Sequence, residues 1–147
     1  MEWVLDTWLL MIAQTPSDER SLDAVFLLRQ IKLGHRIGLD HGREIVNQYY
    51  RNLNKYSHAA EWLGAMLRRA DKTMFRTGLL PQDKRDHLTQ FLKFDRSDLV
   101  FVGVAHEGTD KLLVTEESDY TPEVRRFLLT DCGVRVASIA EAIKIAE

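Results

Sequence analysis

The sequence predicts an α/β fold of three layers, α/β/α, with a central parallel sheet of four to five strands. Three observations carry this expectation. Short runs rich in Val, Leu and Ile recur at EWVLD, HRIGLD, KLLVT and VRVA. Segments with apolar residues at helical spacing separate them. Strands joined through helices pair in parallel, and both faces of the resulting sheet are covered.

In chain order, EWVLD reads as a short buried strand. Leu22, Val25, Phe26 and Arg29 then fall at helical spacing, and Gly34 is a natural helix end. HRIGLD is the second strand. HGREIVNQYYRNL places Ile45, Tyr49 and Leu53 on one helical face, and Tyr49 and Tyr50 cannot both point inward. AEWLGAMLRRA repeats the pattern with Trp62, Leu63, Met66 and Leu67. RTGLLPQDK reads as a turn, after which Pro81 opens a helix holding Leu88, Phe91 and Leu92. Trp62 and Phe91 are expected in the core. SDLVFVGVAHEG suits a buried helix by its length and by Asp98 at its start, a good cap or first-turn residue. KLLVT is a strand. TPEVRRFLLTDCG has Thr121 as cap, Pro122 at the first helical position and Gly133 just past the end. VRVA is the last strand, and Ser138 with Glu141 stand at capping-box spacing ahead of the last helix.

The chain has 147 residues, 45% hydrophobic and 29% charged, as expected of one globular domain over residues 1–147. No repeat or linker-like segment divides it. Cys132 is the only cysteine. That suits a reducing compartment, and a cytoplasmic location is expected. The start, MEWVLD, lacks the positive charge of a secretory signal. The run VLDTWLLMIA is interrupted by Asp6 and too short to span a bilayer, so no membrane association is expected. The net charge of −2 hides an unequal distribution. With five acids set aside in one metal-binding cluster, Lys and Arg outnumber the remaining acids, which permits a polyanionic substrate. Arg68, Arg69, Lys72, Arg76, Arg125 and Arg126 are candidates for the rim of a phosphate-binding groove, although basic residues are also expected at helix C-termini.

KLLVTEESDY drives a buried strand straight into Glu116, Glu117 and Asp119. In open parallel sheets ligands bind beyond the carboxyl ends of the strands, and several acids map to that rim. Asp6 closes the first strand, Glu44 follows the second in the first turn of its helix, and Asp98 opens a helix. Any of Glu44, Asp98 or Glu123 alone would be a helix N-terminal acid, worth a few tenths to about 1 kcal/mol. Asp6 fits the bland account least well: it lies between Val4–Leu5 and Leu9–Leu10, where an unpaired carboxylate costs several kcal/mol. A local cap at Thr7 is its structural alternative. Carboxylates gathered at one rim either take up protons or share a cation, and oxygen-only ligands suit magnesium or manganese. Such an ion polarises a phosphodiester oxygen and turns bound water into a nucleophile.

These residues resemble the motifs of PIN-domain ribonucleases over nearly the whole chain. VLDTWLL resembles the family's opening strand, Glu44 its second acid, and DLVFVGVA its Asp-headed apolar helix. LLVTEESDY resembles its strand followed by acids at alternate positions, here Glu117 and Asp119, and GVRVASIAEAI resembles its closing strand and helix. The resemblance implies cleavage of single-stranded RNA with Mg2+ or Mn2+, frequent homodimers, and service as the toxin of a toxin–antitoxin pair with an antitoxin protein as partner. It assigns Asp6, Glu44, Asp98 and Asp119 catalytic positions, with Asp6, Asp98, Glu117 and Asp119 around the metal. Glu44 is expected to orient water or share a second ion, and Thr115 to hydrogen-bond a neighbouring carboxylate. Asp95 is a lesser candidate. Two positions depart from the family's pattern. Trp8 replaces a small polar residue, and Glu117 replaces an Asp.

Phosphorylated receiver domains would need a paired acid at the first strand's end and a Lys after a late strand; Asp6 stands alone and VRVASIA supplies no Lys. Haloacid-dehalogenase-type phosphatases need an Asp where Trp8 stands. The five histidines share no metal-ligand spacing. A catalytically silent PIN-like module that binds RNA or a protein is the alternative from another class.

Overall fold

A computed structural model describes residues 1–147, and in it the four expected strands form and a fifth joins them. The strands β1 (Glu2–Leu5), β2 (Arg36–Asp40), β3 (Thr73–Arg76), β4 (Leu112–Val114) and β5 (Arg135–Ala137) make one sheet, ordered β3-β2-β1-β4-β5. Every neighbouring pair is parallel. Trp3 is in register with Ile37 on one side and Leu112 on the other.

Eight helices flank this sheet: α1 (Thr7–Ala13), α2 (Ser21–Gly34), α3 (Glu44–Asn52), α4 (His58–Leu67), α5 (Gln82–Asp86), α6 (Leu99–Glu107), α7 (Pro122–Cys132) and α8 (Ile139–Ala146). From β1 the sheet grows outward through β2 to β3; the chain then crosses back to build β4 and β5 on the far side. Right-handed crossovers therefore place α1 to α4 on one face and α5 to α7 on the other. α6 lies across β1, β2 and β4, and α8 returns to pack on α2. The direction of winding reverses between β1 and β4, the kind of crevice where open α/β sheets bind ligands.

The helix ends follow their sequence signals. Thr121 accepts from the Val124 amide, Pro122 takes the first helical position, and Gly133 ends α7 at φ 69°. Ser138 and Glu141 form the reciprocal capping box of α8. The core is a single cluster of 39 buried hydrophobic residues. Tyr49 is buried and Tyr50 half exposed.

Two elements have no predicted counterpart, and two expectations need correction. Residues 73–76, reaching into the start of the expected turn at Arg76, form the edge strand β3. The run after Asp6, to which the sequence pattern assigns no element, forms α1. α2 is helical as expected but buries Ala24, Leu27, Leu28 and Ile31, leaving Leu22 and Phe26 exposed. Phe91 is exposed rather than core, because residues His87–Phe91 form a π-helical turn. The wider turn shifts the helical phase, so Leu88 stays inside while Phe91 stacks outside on His87. Four of the six residues of the expected basic rim have partners: Arg69 pairs with Asp71 at 2.9 Å, and Arg125 donates to the Tyr120 carbonyl at 2.8 Å. Arg76 pairs at 2.7 Å with the buried Glu2, and the buried Lys72 donates to the His35 carbonyl.

Candidate metal centre

The reversal point between β1 and β4 is sealed by a backbone hydrogen bond of 3.0 Å from the Asp6 amide to the Val114 carbonyl. Beyond it both chains turn away from the sheet. Asp6 becomes the N-cap of α1, its Oδ1 accepting from the Thr7 amide at 2.8 Å. Its Oδ2 accepts from the Thr115 hydroxyl at 2.7 Å, and Thr115 Oγ1 in turn accepts from the Glu117 amide at 3.0 Å. Asp6 and Thr115 are both buried. The cap and the site therefore coincide at Asp6: the hydrogen bonds that start α1 also aim its carboxylate.

Asp98 reaches the same crevice by a different route. A 3₁₀ turn, Arg96–Asp98, leads directly into α6. Asp95 caps that turn, accepting from the Ser97 amide and hydroxyl at 2.9 Å. Asp98 stands at the N-cap of α6, yet its side chain makes no capping bond. The expected capping role thus passes to Asp95, and the buried Asp98 carboxylate is left to face the crevice.

Two groups of three carboxylates result. Asp6, Asp98 and Glu117 have oxygens within 4.8 Å of one another, as do Asp95, Asp98 and Asp119. Asp98 belongs to both. No Lys, Arg or His nitrogen pairs with any of these five acids; the ion pairs of the molecule lie elsewhere. The electrostatic consequence is plain. Burial, reinforced by the charges of Asp6, Asp95 and Asp119, pushes Asp98 up to about 7. Burial, the hydrogen bond with Asp6 and the same like-charge crowding push Glu117 up to about 8. Asp6 is also raised, mainly by burial, against the opposing effect of its hydrogen bonds to Thr115, Glu117 and Thr7. Without a cation the site holds protons at neutral pH.

The donor set fits a divalent ion. All donors are carboxylate oxygens, the ligands of magnesium and manganese, with no thiolate or imidazole that would favour zinc. The single thiol, Cys132, is buried on α7, and its carbonyl is hydrogen-bonded to His106.

Comparison with known proteins brings no relative to this arrangement. No family model matches the chain, and no match is found among curated proteins or solved structures. The functional reading therefore rests on the geometry and on the motif resemblance.

Asp98 meets Asp6 and Glu117 in one group and Asp119 in the other, and Thr115 holds Asp6 as expected. Glu44 is in neither group of acids; it lies exposed in the first turn of α3. There the buried Asp40 accepts from the Glu44 and Ile45 amides at 2.9 Å, so the acid ending β2 caps a helix. From α3 the cleft is lined instead by Gln48 and Asn52, and from α1 by Trp8 and Met11. Gln48 donates to the Ser97 carbonyl at 2.9 Å, fastening α3 to the turn that carries Asp98. Glu116 also leaves the cluster: it accepts from the Ile139 amide at 2.8 Å and anchors the start of α8. Asp95, the lesser candidate, joins the second group with Asp98 and Asp119 while also capping the 3₁₀ turn. Its signal was the spacing of DRSD, with an acid three residues ahead of another at a helix start.

Thr115→Val tests the scaffold of this centre. It removes the hydroxyl that serves Asp6 and the Glu117 amide while keeping the shape. A loss of about 1–3 kcal/mol in urea unfolding is expected, and an unchanged midpoint would show that water replaces the hydroxyl.

Proposed function

We propose that this chain is a metal-dependent endoribonuclease that hydrolyses phosphodiester bonds of single-stranded RNA, in the manner of the PIN domains its motifs resemble. The observation that carries the reading is the pair of carboxylate groups sharing Asp98, at the winding reversal and with no cationic side chain to balance them. Asp6 and Asp98 would hold Mg2+ or Mn2+, with Glu117 in their own group and Asp119 in the adjoining group that shares Asp98. The ion, when bound, lowers the pKa of a coordinated water and offsets charge on the phosphate.

The chain's own residues do the rest. Thr115 and the Thr7 amide fix both oxygens of Asp6. The uncapped Asp98 presents its carboxylate to both groups of acids. Glu117, pushed up to about 8 in the absence of metal, would hold the cation as the carboxylate, so metal binding would be accompanied by loss of its proton. A homodimer and an antitoxin partner belong to the same proposal and rest on the resemblance. A cytoplasmic location rests on the lone cysteine; no helix is long and apolar enough to cross a membrane.

A second reading is a catalytically silent module that binds RNA or a protein. The placement of Glu44 favours it, since the neutral Gln48 and Asn52 line the α3 wall of the cleft where an acid was expected.

The deciding experiment incubates purified protein with labelled single-stranded RNA in Mn2+, Mg2+ or EDTA, beside Asp6→Asn. Cutting should require the metal and fall at least about a thousandfold in the variant, equivalent to roughly 4 kcal/mol of barrier. Equal cutting by both proteins would mark a contaminant and remove the catalytic claim. RNA binding without cleavage in any divalent ion would establish the silent module.

A further inference from the structure

The chain has three tryptophans, and only one meets solvent. Trp3 and Trp62 are buried, whereas Trp8 is 43% exposed. Trp8 stands in the first turn of α1, two residues beyond Asp6. The inner face of that helix is completed by Thr7, Leu9, Leu10, Ile12 and Ala13. Trp8 and Met11, one turn apart, are left as the outer stripe, and both line the cleft that contains Asp6, Asp98 and Glu117. The cleft measures about 230 Å³ and is lined from α3 by Gln48 and Asn52.

Those amides are held in place. Gln48 Nε2 donates to the Ser97 carbonyl, and Asn52 Nδ2 donates to the Gln48 carbonyl at 2.7 Å. Gln14 of the loop after α1 donates to the Asn52 carbonyl at 2.9 Å, tying α1 to α3. An exposed indole, two hydrogen-bonded side-chain amides and three carboxylates therefore line one cleft. Phosphate contacts alone would bind poorly here, because the surrounding charges are negative. An aromatic face attracts a base regardless of that charge, and side-chain amides present both donors and acceptors to a base edge.

We propose that Trp8 is the stacking platform for the unpaired base next to the phosphate at the carboxylate centre, with Gln48 and Asn52 facing the edge of that base. This rests on the nuclease reading above and adds a specificity determinant to it. A purine, with the larger π face, is the preferred occupant. The selectivity is for unpaired strands, since a base inside a duplex offers no free face.

The test uses the whole chain with Asp98 kept, in the presence of Mn2+, and strands whose linkages are phosphorothioates that resist hydrolysis, so that RNA is not consumed. Two single-stranded oligoribonucleotides of equal length are titrated, one of purines and one with abasic positions. Tryptophan fluorescence reports the cleft directly, as Trp8 is the exposed indole. The purine strand is expected to quench it and the abasic strand to leave it unchanged. Trp8→Ala should weaken binding of the purine strand about ten- to hundredfold while leaving the abasic strand unaffected, and Trp8→Phe should recover most of the loss.

Equal affinity of Trp8→Ala and its parent for the purine strand would overturn the proposal, as would equal quenching by both strands or no binding at all. The two readings fail separately. Metal-dependent cleavage by the unmodified chain, together with unchanged binding by Trp8→Ala, removes the stacking role and leaves the nuclease. Binding that depends on bases and on Trp8, with no cleavage in any divalent ion, does the reverse.

Discussion

Asp98→Asn is expected to make the metal-free protein more stable at pH 8 while costing at least a thousandfold in metal-dependent cleavage. The folded chain holds Asp98 near 7, well above the ordinary carboxylate value. Between roughly pH 4 and pH 7 the folded state therefore binds more protons at this position than the unfolded state does, and stability falls as pH rises. Glu117, raised for the same reasons, extends the fall to about pH 8. Asparagine cannot ionise, so the variant escapes the Asp98 part of this penalty and relieves the like-charge pressure on Glu117 and Asp6. The gain at pH 8 in EDTA should be about 2–4 kcal/mol, or roughly 5–12 °C in melting temperature for a chain of this size. It should shrink to about 0.5 kcal/mol near pH 4 and vanish only below about pH 3, where wild-type Asp98 is protonated in both states. Saturating Mn2+ should stabilise the wild type and do much less for the variant, because an ion that binds only the folded state adds stability by mass action. Melting curves at pH 4, 6 and 8, with and without Mn2+, check all of this. A variant less stable than wild type at pH 8 in EDTA would mean that the acids are balanced by something other than protons or a cation.

The same charge crowding explains which parts of the centre were legible in the sequence. Asp6, Glu117 and Asp119 directly follow strands whose ends are set by short apolar runs, so topology alone brings them to one rim. Asp98 was legible because an apolar helix follows it, although for a reason that proved incomplete, as Asp95 does the capping. Glu44 was not. Its direction depends on how α3 begins, and the preceding Arg43 takes a left-handed conformation at φ 63° that strand and helix patterns do not encode. The strand β3 escaped notice because an edge strand is half exposed and lacks an apolar run: Thr73, Met74 and Arg76 are only partly buried and Phe75 is exposed. Phe91 was misplaced because a π turn breaks the 3.6-residue period on which the inference rested. For Glu44 and Phe91 the missing information was a local backbone irregularity; for β3 it was the exposure of a sheet edge.

Gly103→Ala is expected to damage both fold and activity although it lies far along α6 from the carboxylates. Helix propensity predicts the opposite sign, since Ala in a helix interior is favoured over Gly by about 1 kcal/mol. Packing decides the matter. A Cβ at Gly103 would sit 2.0 Å from the Gly78 carbonyl oxygen and 2.4 Å from its carbon, both backbone atoms with no rotamer to escape into. The Gly78 segment cannot simply withdraw. Glu107 of the same helix holds it, accepting from the Thr77 hydroxyl at 2.6 Å and from the Gly78 amide at 2.7 Å. Gly78 itself adopts φ 77°, and an added Cβ there would meet Val100 and Asp40. α6 must therefore move off the segment or break those bonds, at a net cost of about 3 kcal/mol or more. Movement of α6 carries Asp98 with it, since that residue heads the helix, and shifts its carboxylate away from Asp6. Urea unfolding should show the stability loss. Residual cleavage by the folded fraction should fall at least tenfold, because ångström-scale misplacement of a reacting group is costly. Full activity in a destabilised but folded variant would show that Asp98 is positioned by the Asp95–Ser97 turn and Gln48 alone, independently of the helix behind it.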